Sequence, residues 1–278
     1  MFATIGGRMM ATLANARVDQ GRGERFFPIS ALVMTAVLVG GFSLQYAMGR
    51  SSFGAPISVH IHAFVFFGWA FLYLMQNWLG TWGGIALHRR LGWLALGWIP
   101  ALVVMGFYIT ISSVQRGRSP FFFRPAYFLI MNPMSVLIFA GLAIAALMMR
   151  RRTQWHKRLM FCAMTPLLGP GFGRILPMPL MIPWAEWGVF VAIMLFPLAG
   201  ILRDWRHEGK VHAAWWWGVA VIAGGQVAMS AIAFSPIGAA LYDMATTGTA
   251  GAAYAPMAFP PPPGSISATL PPAPSDLQ

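Results

Sequence analysis

Seven runs of roughly twenty apolar residues set what this chain can become, at about 28–48, 58–79, 91–113, 127–149, 156–176, 183–203 and 213–235. About 20 residues of helix cover the hydrocarbon core of a bilayer. Backbone facing lipid must satisfy its own hydrogen bonds, so each run is expected to be a helix. The alternating pattern of a membrane barrel is absent. Composition agrees: 58% of residues are hydrophobic and 9% charged, against about 25% charged in soluble domains. The expected fold is an all-α integral membrane bundle of about seven helices. The fifth run is the weakest, because Pro166, Gly169, Pro170, Gly171 and Gly173 interrupt it.

The net charge of +12 does not point to nucleic acid, because the basic residues fall in short clusters between the apolar runs. With the N-terminus inside, Arg8, Arg17, Arg22, Arg25, Arg89, Arg90, Arg150, Arg151, Arg152, Lys157, Arg158, Arg203, Arg206 and Lys210 face inward. Arg50, Arg116, Arg118, Arg124 and Arg174 face outward. That asymmetry follows the positive-inside rule. It predicts a bacterial inner (plasma) membrane protein with a cytoplasmic N-terminal segment (1–26), a seven-span domain (27–240) and a periplasmic, Pro-rich disordered tail (245–278). The first run is expected to stay uncleaved. Cys162 is the single cysteine, which excludes an intrachain disulfide and a zinc ribbon.

Two short strings repeat a pattern. Residues 87–92 read LHRRLG and 155–160 read WHKRLM, and a weaker third copy, GKVHAAWWW, carries His212. Each places a histidine at the inner start of an outgoing helix. Basic side chains and tryptophans at such a boundary anchor helices to headgroups, and the histidines need do no more. A neutral imidazole also offers a lone pair to iron or another metal. Two of His88, His156 and His212 would suit a b-type heme, and three would suit zinc, iron or copper with an open position.

A second polar group is expected toward the outer face. VHIHAFVFFGW carries His60 and His62, which differ by about 200° around a helix and so point apart. His62 shares a face with Trp69, Tyr73 and Gln76, a stripe expected to turn into the bundle. The broken run TPLLGPGFGRILPMP frees backbone groups at membrane depth, as binding sites in transporters do. Arg174 needs a partner there, and Glu186 in IPWAEWG is the expected one, an ion pair that secures the turn. With Glu186 as the single acid inside a run, carboxylate-driven proton pumping has little support. No CxxCH, HExxH, Walker A, GxSxG or dinucleotide fingerprint occurs.

The strings HIHAFVFFGWAFLYLMQ, ALHRRLGW and QWHKRLMF, in this order, resemble a group of uncharacterised bacterial multi-pass membrane proteins over roughly residues 55–215. A looser likeness is to membrane cytochromes b, which hold heme between histidines of neighbouring helices. That likeness implies one inner heme at His88, His156 and His212, and a quinone or an electron-transfer partner. The topology also resembles zinc-dependent membrane hydrolases related to progestin and adiponectin receptors, without their serine, aspartate and paired histidines. The expectation is therefore redox-linked binding of heme b or a transition metal. The alternatives are a transporter or sensor built on His62, Arg174 and Glu186, or a metal-dependent lipid hydrolase.

Overall fold

The computed structural model describes residues 2–51 and 53–262. No strand occurs among them. The helices are α1 (Phe2–Ala47), α2 (Ile57–Thr81), α3 (Ile85–Gly92), α4 (Ala95–Gln115), α5 (Pro125–Met148), α6 (Thr153–Met164), α7 (Gly169–Ile175), α8 (Ala185–Glu208), α9 (Ala213–Ala233) and α10 (Pro236–Thr246). Six are long and apolar enough to cross a membrane: Arg25–Ala47 of α1, then α2, α4, α5, α8 and α9. The chain is a multi-pass membrane protein. Its outer surface carries Phe64, Val104, Ile144, Val191 and Leu195 exposed, which only lipid solvates at low cost.

The fifth run is not a single helix. It appears as α6, a 3-10 turn at Pro166–Leu168, and α7. Pro166 and Pro170 each lack an N–H, which interrupts the α ladder. The chain still keeps right-handed helical angles at Thr165, Leu168 and Gly169. The path is therefore one continuous rod, roughly 34 Å long at 1.5 Å per residue, and it lies at the centre. Leu159 and every residue from Phe161 to Leu168 are buried.

This rod runs beside α1 from end to end. Near one end Phe27 meets Phe161 edge-on at 6.1 Å. Further along, a Cβ on Gly41 would lie 2.6 Å from the Gly171 carbonyl oxygen, and one on Gly171 would lie 2.9 Å from that of Val37. The two backbones touch, as small residues allow between membrane helices. At the far end Gln45 Nε2 donates to the Arg174 carbonyl at 3.0 Å. The glycines that weaken the hydropathy of this run are what let it occupy the core.

The loops sort to two ends. At the basic end, Arg150 stacks over Trp93 at 5.9 Å, His88 meets His156, and Trp155 meets His212. At the far end, Arg124 lies between Phe234 (5.0 Å) and Phe259 (4.8 Å).

That last contact corrects the expected start of a disordered tail at 245. Residues up to 262 are held against the bundle. Ala126 N donates to the Pro256 carbonyl at 3.0 Å, Gln115 Nε2 to that of Ala245 at 3.1 Å, and Tyr242 Oη to that of Gly251 at 2.9 Å. The remainder of the expected tail, 263–278, lies outside the described residues.

The rod is tied at its basic end by charge. Arg158 and Asp204 have fully buried side chains. Arg158 Nε donates to Asp204 Oδ2 at 2.8 Å, and Nη2 reaches Glu208 at 3.0 and 3.2 Å. Trp215 Nε1 also donates to Asp204 Oδ2, at 2.9 Å, and Arg203 Nη1 donates to Asp204 Oδ1 at 2.8 Å. Three helices, α6, α8 and α9, meet at one carboxylate. Removing one member of a buried pair strands the other charge, at about 3–5 kcal/mol. Asp204→Ala should lower the stability of the detergent-solubilised protein by that amount, read by thermal or denaturant unfolding. The Arg158→Met/Asp204→Leu double variant should lose less than the sum of its singles. Additive losses would show that the pair is not coupled.

Candidate functional site

The two clear copies of the histidine string meet. His88 on α3 and His156 on α6 face each other with ring centroids 6.3 Å apart and planes 87° apart. Each ring also closes the turn that precedes it. His156 Nδ1 donates to the Ala146 carbonyl near the end of α5 at 2.8 Å, and His88 Nδ1 lies 3.2 Å from the Gln76 carbonyl near the end of α2. The Ala146 carbonyl lies in the last turn of α5, where carbonyls have no helical partner, so an imidazole N–H is a suitable clamp for it.

Gln76 adds a second contact to His88. With its NH2 turned inward, its amide nitrogen lies 3.1 Å from the His88 carbonyl and 2.5 Å from Nδ1, while its oxygen accepts from Gly92 N at 3.1 Å. In that orientation the His88 proton sits on Nε2. Turned the other way, the amide oxygen would face the His88 carbonyl and its nitrogen the Gly92 N–H, so the first orientation is the satisfied one. The amide therefore holds Nδ1 as an acceptor.

His212 does not join the pair. It caps α9, its Nδ1 accepting from Ala214 N at 3.1 Å, and its ring packs edge-on against Trp155 at 5.3 Å. It borders a shallow groove of about 280 Å³ that Trp155, Glu208 and Lys210 also line. Among the described residues no three of His, Cys, Asp and Glu stand together as a metal site. The expected three-histidine centre thus reduces to two imidazoles, because the third spends its lone pair on a helix terminus.

The expected far-end group does not converge either. His60 Nε2 lies 3.2 Å from the Phe53 carbonyl, in the loop, whereas His62 turns inward against Phe66 at 4.2 Å. Arg174 forms no ion pair with Glu186. Its Nη1 donates to the Pro170 carbonyl at 2.8 Å, and its guanidinium lies 3.8 Å from the Phe42 ring centre. The Pro170 carbonyl of α7 and an aromatic face serve as its partners in place of a carboxylate. Glu186 is buried in the first turn of α8, where a helix N-terminus favours negative charge. The broken path is packed against α1 and offers no cavity of the expected kind at Gly171.

The stripe on α2 does form. Trp69 and Tyr73 are buried in the bundle core, on the same face as His62 and Gln76. The acids that matter at the basic end were hidden by a boundary: the apolar run ends at 203, and α8 continues through Asp204 to Glu208.

His212 titrates in a region where its cap is exposed to a test. Burial, then the Arg158 guanidinium, hold its imidazole below the ordinary 6.5, and Asp204 and Glu208 oppose them. The cap needs a neutral Nδ1, and the folded state binds fewer protons there than the unfolded state. Its contribution is therefore present above 6.5 and fades as pH falls below that value toward the lowered folded one. Hydrogen exchange at the Ala214 and Trp215 amides, corrected for intrinsic rates, should accelerate between pH 7.5 and 5.5. His212→Asn should keep the cap and abolish that pH dependence. No family model, curated protein or solved structure matches this chain.

Proposed function

We propose that this chain crosses a bacterial inner membrane seven times, with its N-terminus in the cytoplasm, and that His88 and His156 hold a b-type heme or a transition metal in a redox-linked role. The observation that carries the reading is the meeting of the two repeated strings, ring to ring at 6.3 Å. Ligating histidines commonly give their second N–H to a backbone carbonyl. His156 does so at Ala146. For His88 to do the same, the Gln76 amide must leave Nδ1, to which it donates in its satisfied orientation. Two imidazoles without a carboxylate suit heme iron or copper better than zinc, which takes at least three protein ligands. The hydrolase reading loses its support on that ground. When bound, such a group would supply one-electron chemistry, with a quinone or an electron-transfer protein as its partner.

The seventh crossing rests on the α6–α7 rod, which runs the length of the bundle beside α1. Reporter fusions at Gln20, Gly84, Arg152 and Gly209 should read cytoplasmic, and one at Gly264 should read periplasmic. A Gly264 fusion that reads cytoplasmic would reduce the count to six.

For the cofactor, protein purified from membranes should show a Soret band or carry bound copper or iron. His88→Lys and His156→Lys should each abolish it, because lysine stays protonated near neutral pH and places an ammonium where a lone pair is needed. His212→Lys and His207→Lys should leave it intact. A colourless wild type without metal, or a double His88/His156 variant with unchanged content, would overturn the reading.

A further inference from the structure

Five arginines gather at the basic end beside the His88–His156 pair. Arg89 and Arg90 stand in the last turn of α3. Arg150, Arg151 and Arg152 fill the turn between α5 and α6, which is wound tight by Arg150 N and Arg152 N donating to the Leu147 and Met149 carbonyls at 3.2 and 2.7 Å. Two contacts bring these segments together. His88 faces His156 at 6.3 Å, and the Arg150 guanidinium lies 5.9 Å from the ring centre of Trp93, the residue that follows α3. All five arginines are exposed, and among the described residues none of them pairs with a carboxylate. Asp204 and Glu208 serve Arg158 and Arg203 instead, while Glu186 and Asp243 belong to α8 and α10 at the far end.

The surroundings of these cations define what they would bind. A helix as short as α3 rises roughly 12 Å, too little to cross a bilayer, and it buries none of its residues. It therefore stands at the membrane surface. Ile85, Leu87, Trp93 and Leu94 are exposed next to the arginines, and Trp93 keeps 64% of its surface free. Apolar side chains that enter the acyl boundary beside guanidiniums at headgroup depth are the pattern of an interfacial helix. Scattered arginines would anchor such a helix by diffuse contact. Here two segments distant in sequence converge on one indole, and basic clusters between membrane helices bind anionic headgroups. A guanidinium fork matches phosphate through paired N–H···O bonds, and an indole favours the level of the lipid glycerol.

We infer that α3 and the α5–α6 turn form a discrete site for an anionic phospholipid, with its phosphodiester held by Arg89, Arg90, Arg151 and Arg152 and its glycerol against Trp93. Charge complementarity selects this occupant. A zwitterionic lipid would bring an ammonium or a choline into a cluster that already has a surplus of cations, and an anionic lipid brings none. One phosphodiester carries a single negative charge, so the cluster stays cationic with the lipid in place. The site stands on the arginines and Trp93, and it holds whether or not the histidine pair carries a cofactor.

The test titrates the full chain in mild detergent with dioleoyl phosphatidylglycerol or dioleoyl phosphatidylcholine, and native mass spectrometry counts the bound lipid. Phosphatidylglycerol should bind saturably and more tightly, by roughly tenfold or more, and the preference should shrink as salt is added. Arg151→Gln/Arg152→Gln should weaken its binding roughly 25-fold, at about fivefold for each arginine near an anionic surface. Arg206→Gln/Lys210→Gln removes the same charge from the same end but outside the site, and should leave binding unchanged. Equal affinity for the two lipids would overturn the proposal, as would equal losses in the two double variants, which would mean diffuse attraction only. Displacement of the lipid by millimolar glycerol 3-phosphate would also overturn it, because the ligand would then be a soluble phosphate. Should the arginine variant fail to fold, photoactivatable phosphatidylglycerol on the wild type decides. Its label should concentrate on residues 85–94 and 149–157, and labelling there no stronger than around Arg206 and Lys210 would refute a discrete site.

Discussion

One buried carboxylate orders the basic end of this bundle. Arg158 enters on α6, the helix with the least contact with lipid, and a fully buried guanidinium at that depth is not tolerable alone. Asp204 neutralises it, and its Oδ2 also takes the Trp215 indole N–H and, at 3.3 Å, the His212 backbone N–H. The position of α6 is thereby fixed against both α8 and α9. With α6 fixed, the rod it begins is held in register with α1, where Gly41 and Gly171 allow the backbones to touch. The same register brings His156 to His88. The placement of the histidine pair thus follows from that of Arg158, two residues beyond His156 on α6.

The repeated strings look alike in sequence and differ in what they do. Arg90 and Arg158 occupy matching places in LHRRLG and WHKRLM, yet Arg90 is exposed and Arg158 is wholly buried. Only the second copy begins a helix that has a carboxylate waiting for it. The matching histidines, in contrast, are placed alike: each sets its Nδ1 against a carbonyl near the end of the preceding long helix. Local sequence encodes that clamp, because it depends on a turn a few residues long. The fate of the arginine depends on Asp204, 46 residues away, and no local pattern reports it.

The helical class and the inward stripe of α2 were legible because they rest on periodicity and on the solvent that 58% hydrophobic residues require. What was not legible shares a physical cause. Hydropathy treats glycine and proline as weakness, so the most buried path read as the least secure span. It ends a run at the first charge, so Asp204 fell just outside. It also pairs charges by sequence proximity, whereas Arg174 found the Pro170 carbonyl and the face of Phe42. A short polar C-terminal stretch reads as tail, but Pro256 and Phe259 have partners on α5 that only the folded bundle supplies.

The distribution of charge bears on the proposed ligand pair. The α2 face carries neutral polar groups, and the fixed charges stand at the two ends. Around the His88–His156 pair the neighbours are cationic: Arg89, Arg90, Arg150, Arg151, Arg152 and Lys157. Such a field would favour an electron on a group held between them. Placing the carboxylates Asp204 and Glu208 against Arg158 and Arg203, not against the pair, preserves that bias. On the proposed reading, the basic cluster at this end does more than orient the helices: it favours negative charge on a group held by the histidine pair.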